Sequence, residues 1–182
     1  MSKETLLTKK KLADFIKKSN DVTYIDPNIR LNNFNNISTD SRKISKGDIF
    51  IALDGENFEG HNFISEALSN GAEFCISAKR NSSHKQITVN STLDFIQHFA
   101  GYLIESTPKL KTFGITGTNG KTSTKEILKN IISKQFNVLA THGNLNNQIG
   151  LPLTIFNLTD MHEFLILEMG TNSKGEIENL AK

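Results

Sequence analysis

A glycine-rich hexapeptide, Gly117-Thr118-Asn119-Gly120-Lys121-Thr122, lies between an apolar run at 110–116 and a helix-periodic run at 121–134. In a strand–turn–helix of this kind, successive backbone amides of the turn face one concavity. The helix behind adds its unsatisfied first-turn donors and the positive end of its dipole. Gly117 and Gly120 let the backbone approach phosphate oxygens without a Cβ in the way. Lys121 brings an ammonium for the terminal phosphates, and Thr122 a hydroxyl for Mg²⁺, with Ser123 a less favoured substitute. The segment therefore predicts a phosphate-binding βα unit that takes ATP with Mg²⁺. It departs from the usual phosphate loop, which places a glycine five residues before Gly120. Ile115 stands there, and Gly114 is one residue early. The plain alternative, a surface glycine turn beside an ordinary helix, leaves the strand, the paired glycines and the lysine to coincidence.

Around this unit, apolar spacing predicts alternating helices and strands. Leu12, Phe15 and Ile16 mark a helix within 6–18, and 28–36 is a polar, turn-prone connection. Residues 49–53 read as a buried strand closed by the turn Asp54-Gly55-Glu56-Asn57. A helical pattern opens at His61 with Phe63, Ile64, Ala67 and Leu68 on one face, and Asn70-Gly71 stops it. Strands follow at 72–76 and 86–89, then a helix carrying Leu93, Ile96, Phe99, Ala100 and Leu103. Ser106-Thr107-Pro108-Lys109 is the boundary signal, because Pro108 disfavours helical geometry at Thr107. After the phosphate-loop unit come a strand at 136–140, a polar loop at 144–150, a short helix within 151–158 despite Pro152, and a strand at 164–168. The fold class expected is α/β: a small mixed α/β domain at 1–107, then the beginning of a P-loop-type parallel-sheet domain at 108–182. Three strands and about two helices after Lys109 bury little apolar surface, so an N-terminal fragment of a longer chain is expected.

Glu168 ends an apolar strand where a neighbouring strand of the same sheet can bring a carboxylate beside the Lys121 loop. There it can hold Mg²⁺ or orient its water; a solvated surface charge is the other reading. The stretch from Thr141 to Gly150 is dense in Asn and Gln, which suits either substrate contacts or loop capping, and the sequence leaves both open. His142 has no Cys or His partner at zinc-ligand spacing. Cys75, the single cysteine, lies in the apolar run Phe74-Cys75-Ile76, where a buried thiol is favoured over a nucleophile.

With 21 Lys and Arg against 19 Asp and Glu, the net charge of +2 gives no phosphate-coating surface. The bias to Lys over Arg further argues against nucleic-acid recognition. No segment approaches a membrane span, and no signal peptide is evident at the N-terminus. A cytoplasmic protein is expected.

These motifs together resemble the ATP-dependent Mur ligases of peptidoglycan synthesis. Thr116-Gly117-Thr118-Asn119-Gly120-Lys121-Thr122 is similar to their shared ATP signature, which accounts for the missing first glycine. The run from Gly143 to Thr154, with Leu167-Glu168-Met169-Gly170 and Gly175-Glu176-Ile177, resembles the branch that adds D-alanyl-D-alanine. Ser38-Thr39-Asp40-Ser41-Arg42, the run 47–53, Gly55 and Gly60-His61-Asn62-Phe63-Ile64 are similar to the family's UDP-substrate region. The resemblance implies a monomeric ligase that uses ATP and Mg²⁺ to join D-alanyl-D-alanine to UDP-MurNAc-tripeptide through an acyl phosphate. It assigns catalytic roles to Lys121, Asn146 and Asn147, and nucleotide binding to residues 117–123. Mg²⁺ would be held by Thr122 and Glu168, and substrate by Asp40, Ser41, Arg42 and His61. A fold-stabilising ion pair is the other reading of Asp40 and Arg42. Family members also carry the rest of the central domain and a closing domain, so this chain alone is expected to lack ligase activity. The alternatives are the related ligase that adds the third amino acid, which fits the run from Asn144 to Thr154 poorly, and a non-catalytic nucleotide- or UDP-sugar-binding fragment.

Overall fold

The computed structural model describes residues 7–54, 59–170 and 175–180. Its helices are α1 (Leu7–Lys18), α2 (Ile64–Ser69), α3 (Thr92–Glu105), α4 (Lys121–Ile132), α5 (Gly150–Ile155) and α6 (Glu176–Leu180). Its strands are β1 (Val22–Ile25), β2 (Ile37–Ser38), β3 (Ile49–Ile51), β4 (Phe74–Ser77), β5 (Gln86–Val89), β6 (Lys111–Ile115), β7 (Val138–Ala140) and β8 (Phe164–Glu168). Two compact units result: Lys9–His98, and Phe99–Lys182 with the chain up to Thr8. The first is built on a mixed sheet and the second on a parallel one.

The first unit holds a five-stranded sheet in the order β1-β5-β4-β3-β2. Only β1 runs antiparallel, against β5; the other pairings are parallel. β3, β4 and β5 are buried along their whole length. Parallel strands covered on both faces carry continuous apolar runs, and Ile49-Phe50-Ile51 and Phe74-Cys75-Ile76 are such runs. Ile44, Phe50, Ala52, Ile64, Ala67 and Cys75 form one core cluster on α2's side. Phe15 of α1 meets Phe95 of α3 edge-on at 5.4 Å between ring centres.

Two details differ from the pattern read in the sequence. The helical segment at His61 starts as a 3-10 turn, Gly60–Phe63, before α2. Three residues per turn instead of 3.6 shifts the phase of the face, and Phe63, expected on it, is 41% exposed. β1 falls in a segment with no expected strand. It is a short alternating edge strand whose partner, β5, is distant in sequence. Of the expected turn Asp54-Gly55-Glu56-Asn57, only Asp54 is among the described residues, and Gly55 is not.

The second unit holds a three-stranded parallel sheet, β6-β8-β7, with α4 packed on it. Ile115 pairs with Glu168 and Ala140 with Ile166, so the carboxyl ends of all three strands reach the same edge. In open α/β sheets the connections gathered at this edge form the ligand crevice. Three segments meet it here: the turn 116–120, the loop 141–149, and Met169-Gly170. Pro152 sits in the first turn of α5, where its missing amide costs no intrahelical bond.

Candidate functional site

In the second unit the site begins at the turn between β6 and α4. Gly120 precedes α4 at φ 79°, in the left-handed region, with no side chain to cap the helix. A glycine adopts that geometry freely, and the first-turn amides of α4 stay open to an anion. Residues 116–120 are exposed, as is Ser123. The Lys121 ammonium folds back and donates to the Gly117 carbonyl at 2.6 Å.

Glu168 is the centre of a hydrogen-bonded group. It is only 3% exposed, yet it sits at the carboxyl end of the middle strand, β8. Its Oε1 accepts from the Thr122 hydroxyl at 3.1 Å and from the Asn146 side-chain amide at 3.2 Å. Its backbone amide donates to the Thr141 hydroxyl at 3.0 Å. Among the described residues its Oε2 accepts no hydrogen bond of good geometry; the Lys125 ammonium lies 3.4 Å away. Burial opposes ionisation of this carboxyl, but hydrogen bonds from Asn146 and Thr122 and the charge of Lys125 outweigh it and hold its pKa below the ordinary value.

The structure thus brings Thr122, Glu168 and Asn146 together. Asn147 is placed elsewhere: its side-chain oxygen accepts from the amides of Ile149 (3.2 Å) and Gly150 (2.9 Å), at the start of α5. Adjacent residues of the Asn-rich loop thus do different things: Asn146 reaches the Glu168 carboxylate, and Asn147 holds the amides that lead into α5. Gly150 allows this turn to close, since a Cβ there would lie 2.5 Å from Leu145 backbone atoms.

Sequence reasoning missed Lys125 and the contact of Thr141 with the Glu168 amide. The signal for Lys125 was its place on α4. Lys121, Lys125, Leu128 and Ile132 share helical spacing, and Lys125 is the one fully buried.

In the first unit, a second group gathers at the carboxyl ends of β2, β3 and β4. Asp40 caps the 3-10 turn Ser41–Lys43, accepting from the Arg42 amide at 3.1 Å. It also accepts from the Arg42 guanidinium in two bonds, at 2.9 and 3.0 Å. The side-chain bond from Arg42 is the main cause of its low pKa, about 2 against an ordinary 3.8. The structure therefore contains the Asp40–Arg42 ion pair, with Arg42 largely exposed. Ser41 is buried, and its hydroxyl donates to Glu66 of α2 at 2.8 Å. His61 has Glu59 and Lys79 each at 3.3 Å from Nε2, and Asp54 at 3.7 Å from Nδ1.

Comparison with known proteins places this geometry among relatives. A family model described as "Mur ligase family, catalytic domain" matches residues 33–102, and one described as "Mur ligase middle domain" matches 115–182. The UDP-N-acetylmuramoyl-tripeptide--D-alanyl-D-alanine ligase of Bacillus subtilis (strain 168) is 35% identical over 180 residues, covering 96% of this chain and 38% of the relative. The enzyme of that name in Escherichia coli (strain K12) is 37% identical over 142 residues, covering 78% of this chain and 31% of the relative. Among solved structures, the UDP-N-acetylmuramoylalanyl-D-glutamyl-2,6-diaminopimelate--D-alanyl-D-alanyl ligase of Acinetobacter baumannii superposes with TM-score 0.82 at 32% identity, over 99% of this chain and 39% of that one. A MurF ligase from Thermotoga maritima, solved in complex with ADP, gives TM-score 0.71 at 37% identity, over 80% of this chain and 34% of that one. The chain thus spans under two fifths of the length of these relatives.

Proposed function

Because the chain belongs to the Mur ligase family, we propose that it is part of an enzyme that joins D-alanyl-D-alanine to UDP-MurNAc-tripeptide at the expense of ATP. The observation that carries this reading is the Thr122–Glu168 contact, made where paired strands β6 and β8 end beside the glycine turn. The names of the relatives supply the substrate class. Residues 108–182 would begin the nucleotide domain, and 1–107 would bind the UDP-linked peptide in the cytoplasm.

The residues suit Mg²⁺. A buried carboxylate held below its ordinary pKa, with its Oε1 beside the Thr122 hydroxyl, gives the hard oxygens this ion takes. Thr122 and Glu168 would hold it, and its charge would offset that of the phosphates. ATP would supply the γ-phosphoryl group that converts the peptide carboxylate, a poor acyl donor, into an acyl phosphate with release of ADP, and the dipeptide amine would then displace phosphate. The glycine turn and the first turn of α4 would receive the phosphates on backbone amides. Lys121 would leave the Gly117 carbonyl and place its ammonium against the transferring group, where negative charge develops. Asn146 would keep Glu168 aimed at the metal. Asp40, Arg42 and His61 would meet the UDP end, whereas Ser41, engaged by Glu66, would shape the turn that presents them.

The full-length protein is assayed for phosphate release with ATP, UDP-MurNAc-tripeptide and D-alanyl-D-alanine. Release dependent on all three is expected, and Lys121→Ala is expected to lower turnover by about 10²–10³-fold. Release that needs a single amino acid in place of the dipeptide would move the assignment to the neighbouring ligase. Full turnover in Lys121→Ala would remove the phosphate role of the loop.

A further inference from the structure

Lysines are almost never fully buried without a partner, and the Lys125 side chain is 2% exposed. Its ammonium faces two carboxylates, Glu126 Oε1 at 3.2 Å and Glu168 Oε2 at 3.4 Å. The Glu126 side chain is 48% exposed, so water already solvates it. The Glu168 side chain is 4% exposed, and among the described residues no donor other than the Lys125 ammonium faces its Oε2. Of the two carboxylates, Glu168 is the one that needs the charge.

The two lysines one turn apart on α4 have separate tasks. Lys121 reaches outward to Gly117 at the glycine turn, and Lys125 reaches inward to β8. The two oxygens of Glu168 are divided likewise. Oε1 is fixed by Thr122 and Asn146, while Oε2 leans on the ammonium. A carboxylate removed from water and given no counter-charge is strongly disfavoured.

We propose that Lys125 is a positioning residue, the permanent counter-cation that keeps Glu168 buried, charged and aimed when no divalent ion is present. The proposal rests on Glu168 being a Mg²⁺ residue. Its consequence is that the site is formed in advance and does not assemble around the metal. Without Lys125, Mg²⁺ becomes the counter-charge on which the local fold depends.

The test is thermal unfolding of the full-length protein with saturating ADP, in EDTA and across a Mg²⁺ series, with calorimetry of Mg²⁺–ADP binding alongside. The wild-type midpoint is expected to rise by only about 2–3 °C with Mg²⁺. Lys125→Met is expected to fall by about 5 °C or more in EDTA and to regain at least about half of that with Mg²⁺. Lys125→Arg is expected to stay near wild type in EDTA. An equal loss for Lys125→Met with and without Mg²⁺, while calorimetry shows Mg²⁺–ADP bound, overturns the proposal: the lysine would then only fill space. If Lys125→Met does not fold, the charge-free pair Lys125→Met/Glu168→Gln is expected to fold with a midpoint near wild type and no Mg²⁺ response. Failure of that pair to fold also overturns it. Equal Mg²⁺–ADP affinity in wild type and Glu168→Gln would instead remove the metal reading itself, and the proposal with it.

Discussion

At the scale of single residues, burial and pairing set the chemistry more than residue type does. Cys75 has no exposed surface in β4, and burial pushes its thiol up to about 12 from 9.0. The thiolate is the reactive form, so the folded protein is expected to resist iodoacetamide and to react once denatured; mass spectrometry of the treated protein reads this. Asp40 is the opposite case, with Arg42 holding its carboxyl near 2. A lowered folded pKa contributes stability that is complete above the ordinary carboxylate range. That stability is lost as pH falls from about 4 toward the folded value. In an NMR titration, Arg42→Ala is expected to return Asp40 toward 3.8, its ordinary value.

Among the elements, the short helix α5 depends on close backbone approach. Gly150→Ala would put a methyl 2.5 Å from the Leu145 backbone, which cannot yield without moving the loop that carries Asn146. We expect a loss of about 2–4 kcal/mol in denaturant unfolding, together with weaker Mg²⁺ use. Most elements were legible in the sequence where a long periodic run or a glycine stop marks them, as in α1, α3, α4 and β8. The Thr122–Glu168 contact was legible as well, because parallel neighbours in a sheet deliver their ends to one edge. β1 was not, since four alternating residues gain their order from a partner over 60 positions away. Nor was the phase of α2, which a 3-10 turn resets. Lys125 escaped for a different reason: a lysine on a helix reads as surface until the carboxylate facing it is known. The adjacent Asn146 and Asn147 are chemically identical, and only the loop's path separates one from the other.

Across these 182 residues, the two units differ in how well their sheets are covered. β3, β4 and β5 are fully buried, whereas β6 is exposed along most of its length and lies at a sheet edge. On α4, Ile127 and Ile131 are about 60% exposed. Hydrogen exchange on the 182-residue chain is expected to show amides of β4 and β5 protected longest and those of β6 exchanging earlier. Equal protection in both sheets would contradict this. One resting contact also bears on selectivity. The ammonium at the mouth of the turn is already satisfied by an amide oxygen, and it will desert that oxygen only for a more strongly negative partner. Chloride and bicarbonate have little to offer in that exchange, while a polyphosphate chain has much. If the turn receives phosphate as proposed, that contact would weigh against weakly charged anions before a nucleotide binds.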